Sequence, residues 1–222
     1  MRSAMSMIEL VFAIVIMGIA VMSLPLILTQ VQSNNAFAMQ QEAILAAKAK
    51  IGDVLTYEWD DRSYSPNASS TFVLDVTHGD AELNAVPPTP RRVGHIDTDY
   101  RRKFFPNTTN ATLTLGSEGG DLDDVDDFTN TTTSIAAAVE GAGTLDYVFD
   151  LNLSTTVSYA NDSGTYSDQN LTDFTFNPAV NAASTNIKTI EVKVSGGDQN
   201  ITLRAFTCNI GESTLLPSRP YR

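Results

Sequence analysis

The first sixty residues carry a helical pattern in two parts. Residues 10–28, LVFAIVIMGIAVMSLPLIL, contain no charged side chain. At 1.5 Å per residue this stretch is roughly 28 Å long, close to the hydrocarbon thickness of a bilayer at about 30 Å. Apolar residues then recur at helical spacing between polar ones, at Phe37, Ile44, Ala47, Ile51 and Leu55. The pattern predicts one long helix, with residues 5–29 crossing a membrane and residues 30–58 forming an amphipathic continuation.

Beyond Trp59 the helical spacing is replaced by short alternating segments separated by Thr, Ser, Asn, Gly and Asp. Four segments have the β-branched and aromatic enrichment of half-buried strands. They are residues 72–76, 146–157, 171–176 and 187–194. Long polar loops lie between them, so residues 59–222, the outer domain, are predicted to be β-rich.

The clearest strand signal is a hairpin near the end of the chain. Ile190, Val192 and Val194 alternate with polar residues, a Gly-Gly-Asp turn follows at 196–198, and the alternation resumes at Ile201. An antiparallel sheet formed in this way must cover its apolar face. The sequence therefore predicts an α+β fold, in which the amphipathic half of the N-terminal helix packs against a C-terminal antiparallel sheet.

Charge and motifs exclude several classes of function. The chain has 222 residues and a net charge of −12, the wrong sign for a protein that binds nucleic acid through phosphate contacts. Cys208 is the single cysteine, so neither an intrachain disulfide nor a cysteine-based metal cage can form. No GxSxG, HExxH, P-loop or GxGxxG motif occurs. The sequence gives no basis for an enzyme.

A run of acidic residues is the strongest candidate for a ligand site. Its members are Asp121, Asp123, Asp124, Asp126 and Asp127. Carboxylate oxygens at this density suit Ca²⁺, although the glycine and terminal glutamate of an EF-hand loop are missing. The sequence favours a solvated acidic loop, with calcium binding as the alternative and no other cofactor expected.

Glu9 is an ionisable residue at the edge of the apolar stretch. A charge there costs on the order of 2 kcal/mol or more unless it lies at the interface or is paired. It follows a short leader with Arg2, a small residue at Ala4, and Met5-Ser-Met-Ile. This N-terminus resembles that of type IV pilin-like proteins, over roughly the first thirty residues.

The resemblance implies a set of roles for the N-terminal residues. The prepilin peptidase would cut between Ala4, where the family usually has glycine, and Met5. Met5 would then be N-methylated. Glu9 would become the fifth residue of the mature chain and form a salt bridge with the terminal amine of a neighbouring subunit.

The same resemblance implies an organisation and a location. Residues 1–4 would be the leader, 5–29 the membrane part of the helix, 30–58 its amphipathic part and 59–222 the outer domain. The protein would be a minor pilin or type II secretion pseudopilin, with other pilin subunits, the prepilin peptidase and inner-membrane lipid as partners. Before assembly it would cross the inner membrane once, with a cytoplasmic N-terminus and a periplasmic outer domain. Some minor pilins, including those of the mannose-sensitive haemagglutinin type, have a similar Asp-Asp-Val-Asp-Asp-aromatic run.

A second interpretation comes from another class of protein. Residues 36–38, Ala-Phe-Ala, imitate the cleavage site of an ordinary secretory signal. On this interpretation the chain would be cut after Ala38 and exported as a soluble binding or enzymatic domain. Glu9 within the apolar region, and the ten residues from Thr29 to Ala38 that separate the apolar stretch from the cut, count against it.

Overall fold

A computed structural model of the protein describes residues 6–64, 71–79, 83–85, 108–137, 149–162 and 176–211. This part of the chain contains one long helix near the N-terminus, α1 (Met7–Val54), followed by a five-stranded antiparallel sheet. The α+β architecture predicted from the sequence is confirmed at this level.

The sheet is built around two long central strands. Its members are β1 (Thr131–Ile135), β2 (Leu151–Asn161), β3 (Asn177–Asn181), β4 (Ile187–Gly196) and β5 (Gln199–Cys208). The order is β1-β2-β4-β5, and β3 pairs with the end of β2 that β1 leaves uncovered. Residues 72–76 form isolated bridges at Val73 and Asp75, the latter with Asn110, instead of the predicted strand. Most of the predicted strand at 171–176 lies outside the described residues.

The predicted hairpin is confirmed as β4 and β5. Val194 pairs with Ile201 and Ile190 with Ala205, so the two alternating apolar rows lie side by side on one face. Gly197 occupies the turn at φ +53°, in the left-handed region that favours glycine. The tip of the hairpin therefore depends on this residue, and its Cα lies beside the methyl group of Met39 on α1.

Helix α1 is 48 residues long, or about 72 Å, and continues through Pro25. Proline has no N–H for the carbonyl of the preceding turn, but its own carbonyl accepts a hydrogen bond from the Thr29 hydroxyl at 2.8 Å. Within the described residues, α1 is the one helix long and apolar enough to cross a membrane, and its most apolar stretch buries nothing inside the chain. A signal sequence near the N-terminus would have the same properties.

The last part of α1 packs on the sheet through a face rich in alanine. Its buried residues are Ala43, Ala46, Ala47, Ile51 and Val54. Phe37, Ile44 and Leu55, which the spacing had placed on the same face, remain exposed. Small side chains allow the helix to approach β4 and β5 closely, so the larger apolar residues lie to one side. The helix also ends four residues before the predicted boundary at 58.

Two apolar clusters cover the helix-facing side of the sheet. The larger includes Ala47, Phe128 and the inward residues of β2 and β4. The smaller lies beyond the end of α1 and contains Trp59, Leu74, Val76, Ala111 and Tyr159. Lys188 faces the core on β4 and pairs with Tyr159 across the sheet. A lysine therefore occupies the place where the two clusters meet.

Candidate functional site

The N-terminus of α1 is closed by a capping box formed by Ser6 and Glu9. The Ile8 N–H donates to the Ser6 hydroxyl at 3.3 Å, and the Ser6 N–H donates to Glu9 Oε2 at 3.0 Å. Each side chain satisfies an N–H that a helix start leaves unpaired. Glu9 thus has a local partner within its own chain, while Ala4 and Met5 lie outside the described residues.

The acidic run divides into an exposed and a buried half. Asp121 and Asp123 are exposed, whereas Asp124, Asp126 and Asp127 have almost no accessible surface. The expectation of a solvated acidic loop is therefore wrong for the last three. The turn Asp126–Phe128 packs Phe128 into the main core, and this contact draws the neighbouring carboxylates below the surface.

Backbone N–H groups hold the buried aspartates of this turn. Asp124 accepts from Asp126 and Asp127 through one oxygen, and from Asp61 through the other at 2.6 Å. Asp127 accepts from Asp123 and Asp124 through Oδ2. Its Oδ1 is buried without a hydrogen-bond partner in the described part of the chain. The turn is thus fixed to the segment that leaves α1.

Lys188 is the cation of this site and lies wholly inside the protein. Its Nζ contacts Asp126 Oδ1 directly and lies 3.4 Å from Asp60 Oδ2. It also donates to the Trp59 carbonyl at 2.5 Å. An ammonium has three donors, and all three are used here. The side chains of Lys188, Asp60 and Asp126 are all completely buried.

Aromatic rings and backbone groups enclose the ammonium. Lys188 Nζ lies 4.3 Å from the ring centroid of Trp59 and 5.6 Å from that of Tyr159. The Tyr159 hydroxyl donates to the Thr112 carbonyl at 2.6 Å, and the Thr112 N–H donates to Asp60 Oδ2 at 2.9 Å. The Arg62 N–H donates to Asp60 Oδ1 at 3.1 Å. Both Lys188 and Asp60 are therefore held in fixed positions.

Burial in this cluster favours the protonated, neutral forms of Asp124, Asp126 and Tyr159. Burial raises the pKa of Asp124 to about 7. The positive charge of Lys188 lowers this pKa, and the negative charge of Asp126 raises it. Burial also raises the pKa of Asp126, again opposed by Lys188. The Tyr159 hydroxyl has its pKa raised by burial and by Asp60. One ammonium is shared among several carboxylates in a medium that solvates charge poorly.

The structure does not bring the five predicted calcium ligands together as a set. Among the described residues no group of three or more His, Cys, Asp or Glu side chains is arranged to hold a metal ion. Asp126 is occupied by Lys188, and Asp124 by backbone N–H groups. Calcium binding by the acidic run from Asp121 to Asp127 therefore stays a prediction.

Lys188 is not among the site residues predicted from the sequence, although its position in the alternating strand pattern points to the core. Lys188 precedes Ile190, Val192 and Val194 at a spacing of two, so it lies on the apolar face of its strand. A lysine on such a face is either a strand-end residue or a buried cation with an acidic partner. Its partners, 128 and 62 residues away, could not be identified from local pattern.

We compared the chain with protein-family models, with curated proteins and with solved structures, and none of the three comparisons finds a match. The function therefore has to be argued from the residues themselves. Two features carry that argument: the apolar end of α1 and the buried cluster around Lys188.

Proposed function

We propose that this chain is a structural subunit of a helical filament, a minor pilin or a type II secretion pseudopilin, without catalytic activity. The observation that carries the proposal is the contrast between the two ends of α1. Ala47 and Val54 are fully buried against the sheet, whereas Ile16 is 65% and Leu26 is 73% exposed. An apolar helix surface of this length requires lipid or other helices around it.

Lipid and neighbouring helices would cover this surface in succession. Arg2 and the terminal amine precede the apolar stretch, and the next lysine is Lys48, so the positive-inside rule keeps the N-terminus in the cytoplasm. The outer domain is then periplasmic. After the prepilin peptidase cuts between Ala4 and Met5, α1 leaves the inner membrane and packs among the helices of other pilin subunits.

Glu9 would set the axial position of each subunit. Cleavage gives Met5 a positively charged amine, which methylation preserves. In a bundle of apolar helices that amine needs a carboxylate, and Glu9 of the adjoining subunit supplies it only at one axial offset. Leaving one member of a buried pair alone costs roughly 3 to 5 kcal/mol, or about two to three orders of magnitude in a pairwise equilibrium.

The capping box makes a sharp test of this role available. Glu9→Gln keeps an oxygen that can accept the Ser6 N–H and removes only the charge, whereas Glu9→Val removes both. We expect both variants to be cleaved and to remain in the membrane. We also expect both to be nearly missing from sheared filaments and from cross-links to other subunits.

The two variants separate the role in assembly from the role in capping. If Glu9→Gln is incorporated like the wild-type chain while Glu9→Val is not, Glu9 acts as a helix cap and the proposed registration is wrong. Incorporation of both variants at the wild-type level would leave Glu9 as an interfacial carboxylate. Immunoblots of the membrane and filament fractions give the ratio of processed to assembled protein.

The mature N-terminus decides between the filament subunit and the exported domain. A cut after Ala38 would leave Met39 as the first residue and retain every buried residue of α1, so the sheet would keep its cover. Mass spectrometry should find Met5 instead. Ala4→Gly should be processed at least as fast as wild type, and Ala4→Arg should accumulate uncleaved. Equal maturation of both Ala4 variants would refute the prepilin assignment.

A further inference from the structure

The cluster around Lys188 contains the parts of a covalent reaction. A lysine amine, a carboxyl group in direct contact with it and a second carboxyl group 3.4 Å away are all completely buried. The Trp59 and Tyr159 rings flank the amine on its other sides. A lysine amine becomes a nucleophile when it passes its proton to a neighbouring base.

We propose that Lys188 and Asp126 are joined by an intramolecular isopeptide bond that forms once the outer domain has folded, with Asp60 transferring the proton. The proposal concerns the outer domain alone and does not depend on the filament function. It identifies a modification site in a chain whose single cysteine allows no intrachain disulfide. The bond would fix the turn at Asp126–Phe128 to strand β4.

The reaction balances without any added reagent. The Lys188 ammonium passes one proton to the Asp126 carboxylate, and the neutral amine then attacks Cγ of Asp126. Asp60 takes a second proton from the nitrogen and returns it to the departing hydroxyl group, which leaves as water. A C–N bond forms, a C–O bond breaks, and nothing is oxidised or reduced.

Burial supplies the driving force and the geometry. An ion pair taken out of water carries a desolvation cost on both members, and the amide has neither charge. The reacting groups are held in contact, which gives an effective concentration that free solutes cannot reach. Asp60 is fixed by the N–H groups of Arg62 and Thr112, and the remaining amide N–H can keep donating to the Trp59 carbonyl.

The sequence offers a direct test on the full chain, purified in detergent and then denatured. Cleavage after glutamate occurs at Glu118, Glu140 and Glu191, so Asp126 and Lys188 fall in separate peptides, 119–140 and 141–191. We expect these two peptides to remain linked, with a combined mass one water molecule below their sum. Trypsin should also fail to cut after Lys188, giving residues 104–193 as a single peptide that is lighter by one water.

The result that overturns the proposal is recovery of the two peptides as separate species of full mass, which would make Lys188 and Asp126 a non-covalent ion pair. This test uses the wild-type chain, so it does not depend on whether a variant folds. Asp126→Ala and Lys188→Arg provide unlinked mass standards. Asp60→Asn should slow or abolish linkage in protein that still reaches the membrane, and unchanged linkage would refute the role of Asp60.

Discussion

Lys188 on β4 lies directly opposite Tyr159 on β2, one row beyond the pair formed by Ile190 and Val157. That row marks the point where α1 no longer covers the sheet and Trp59 takes its place. The polar cluster therefore occupies the corner between helix, turn and sheet.

Replacing Lys188 with methionine should strongly destabilise the outer domain. The substitution keeps the side-chain volume but removes both the amine and any link to Asp126. Leaving the carboxyl groups of Asp60 and Asp126 buried without a cation costs roughly 3 to 5 kcal/mol even if no link had formed. Lys193→Met on the same strand is the matched control, because Lys193 is exposed and its ion pair with Glu191 contributes about 1 kcal/mol or less. Thermal or urea unfolding of the full chain in detergent measures both. Equal loss in the two variants would show that the Lys188 cluster does not stabilise the fold.

The difference between Lys188 and its neighbours also shows what the sequence could and could not predict. Ile190, Val192 and Val194 identify the hairpin because strand periodicity is a local property that needs no partner. The same periodicity places Lys188 inward but says nothing about which carboxylates meet it. The acidic run predicts a cluster of oxygen ligands. Its local sequence does not say whether those oxygens bind a calcium ion or an ammonium group from a distant strand.

The long helix was predictable for a similar reason, and its buried face was predictable only in part. An uncharged run of nineteen residues indicates a span whatever it packs against. The face that meets the sheet depends on how closely the two elements approach. The spacing predicts Ala47 and Ile51 on this face, and both are buried there. It also predicts the larger Phe37 and Ile44, which are exposed, and it does not indicate Ala43 and Ala46.

The hairpin tip should not tolerate a side chain at Gly197. Alanine there would take a positive φ at a cost of about 1 kcal/mol or more, whereas the flexible Met39 methyl group beside its Cβ could move aside at little further cost. Gly52→Ala is the control, because that helical position is open and alanine should stabilise it by about 0.5 to 1 kcal/mol. Melting temperatures should therefore move in opposite directions. A Gly197→Ala melting temperature at or above that of the wild-type chain would show that the turn does not require glycine.

Calcium binding by the acidic run predicts a rise in melting temperature when Ca²⁺ is added to the full chain. Mass action gives about 2.7 kcal/mol at a hundredfold excess over Kd. The double variant Asp121→Asn, Asp123→Asn changes only exposed carboxylates. It should abolish the rise while keeping the melting temperature in EDTA. No rise at millimolar calcium with the wild-type chain would remove the calcium prediction.

Stability should depend on pH through Glu191 in the acidic range. Hydrogen bonds from Lys193, with those from Arg204, lower the pKa of Glu191 below its ordinary value despite partial burial. A carboxylate with a lowered folded-state pKa contributes stability above its unfolded pKa and loses it as the pH falls through the folded value. Glu191→Gln should therefore be less stable than wild type by about 1 kcal/mol or less near pH 7, and the difference should be smaller near pH 3. Urea titrations at both pH values test this, and a constant difference would exclude titration of Glu191 as the cause.

The alanine face of α1 gives a final prediction about the two sides of the helix. Ala47 is fully buried against the sheet, whereas Ala49 on the same turn is exposed. Ala47→Leu adds volume to a packed contact and should cost about 1 to 3 kcal/mol, because the helix and the sheet must move apart. Ala49→Leu has nearly the same helix propensity and should leave the unfolding midpoint unchanged.

If the proposed filament function is correct, incorporation of the same two variants distinguishes the sheet-facing side of α1 from its free side. If other subunits pack on the free side, Ala49→Leu should lower the amount of protein in sheared filaments although the isolated chain unfolds as before. Ala47→Leu should lower both the unfolding midpoint and the amount of protein in sheared filaments, since assembly would require the folded outer domain. Normal incorporation of a stable Ala49→Leu chain would place the subunit contacts elsewhere on the helix.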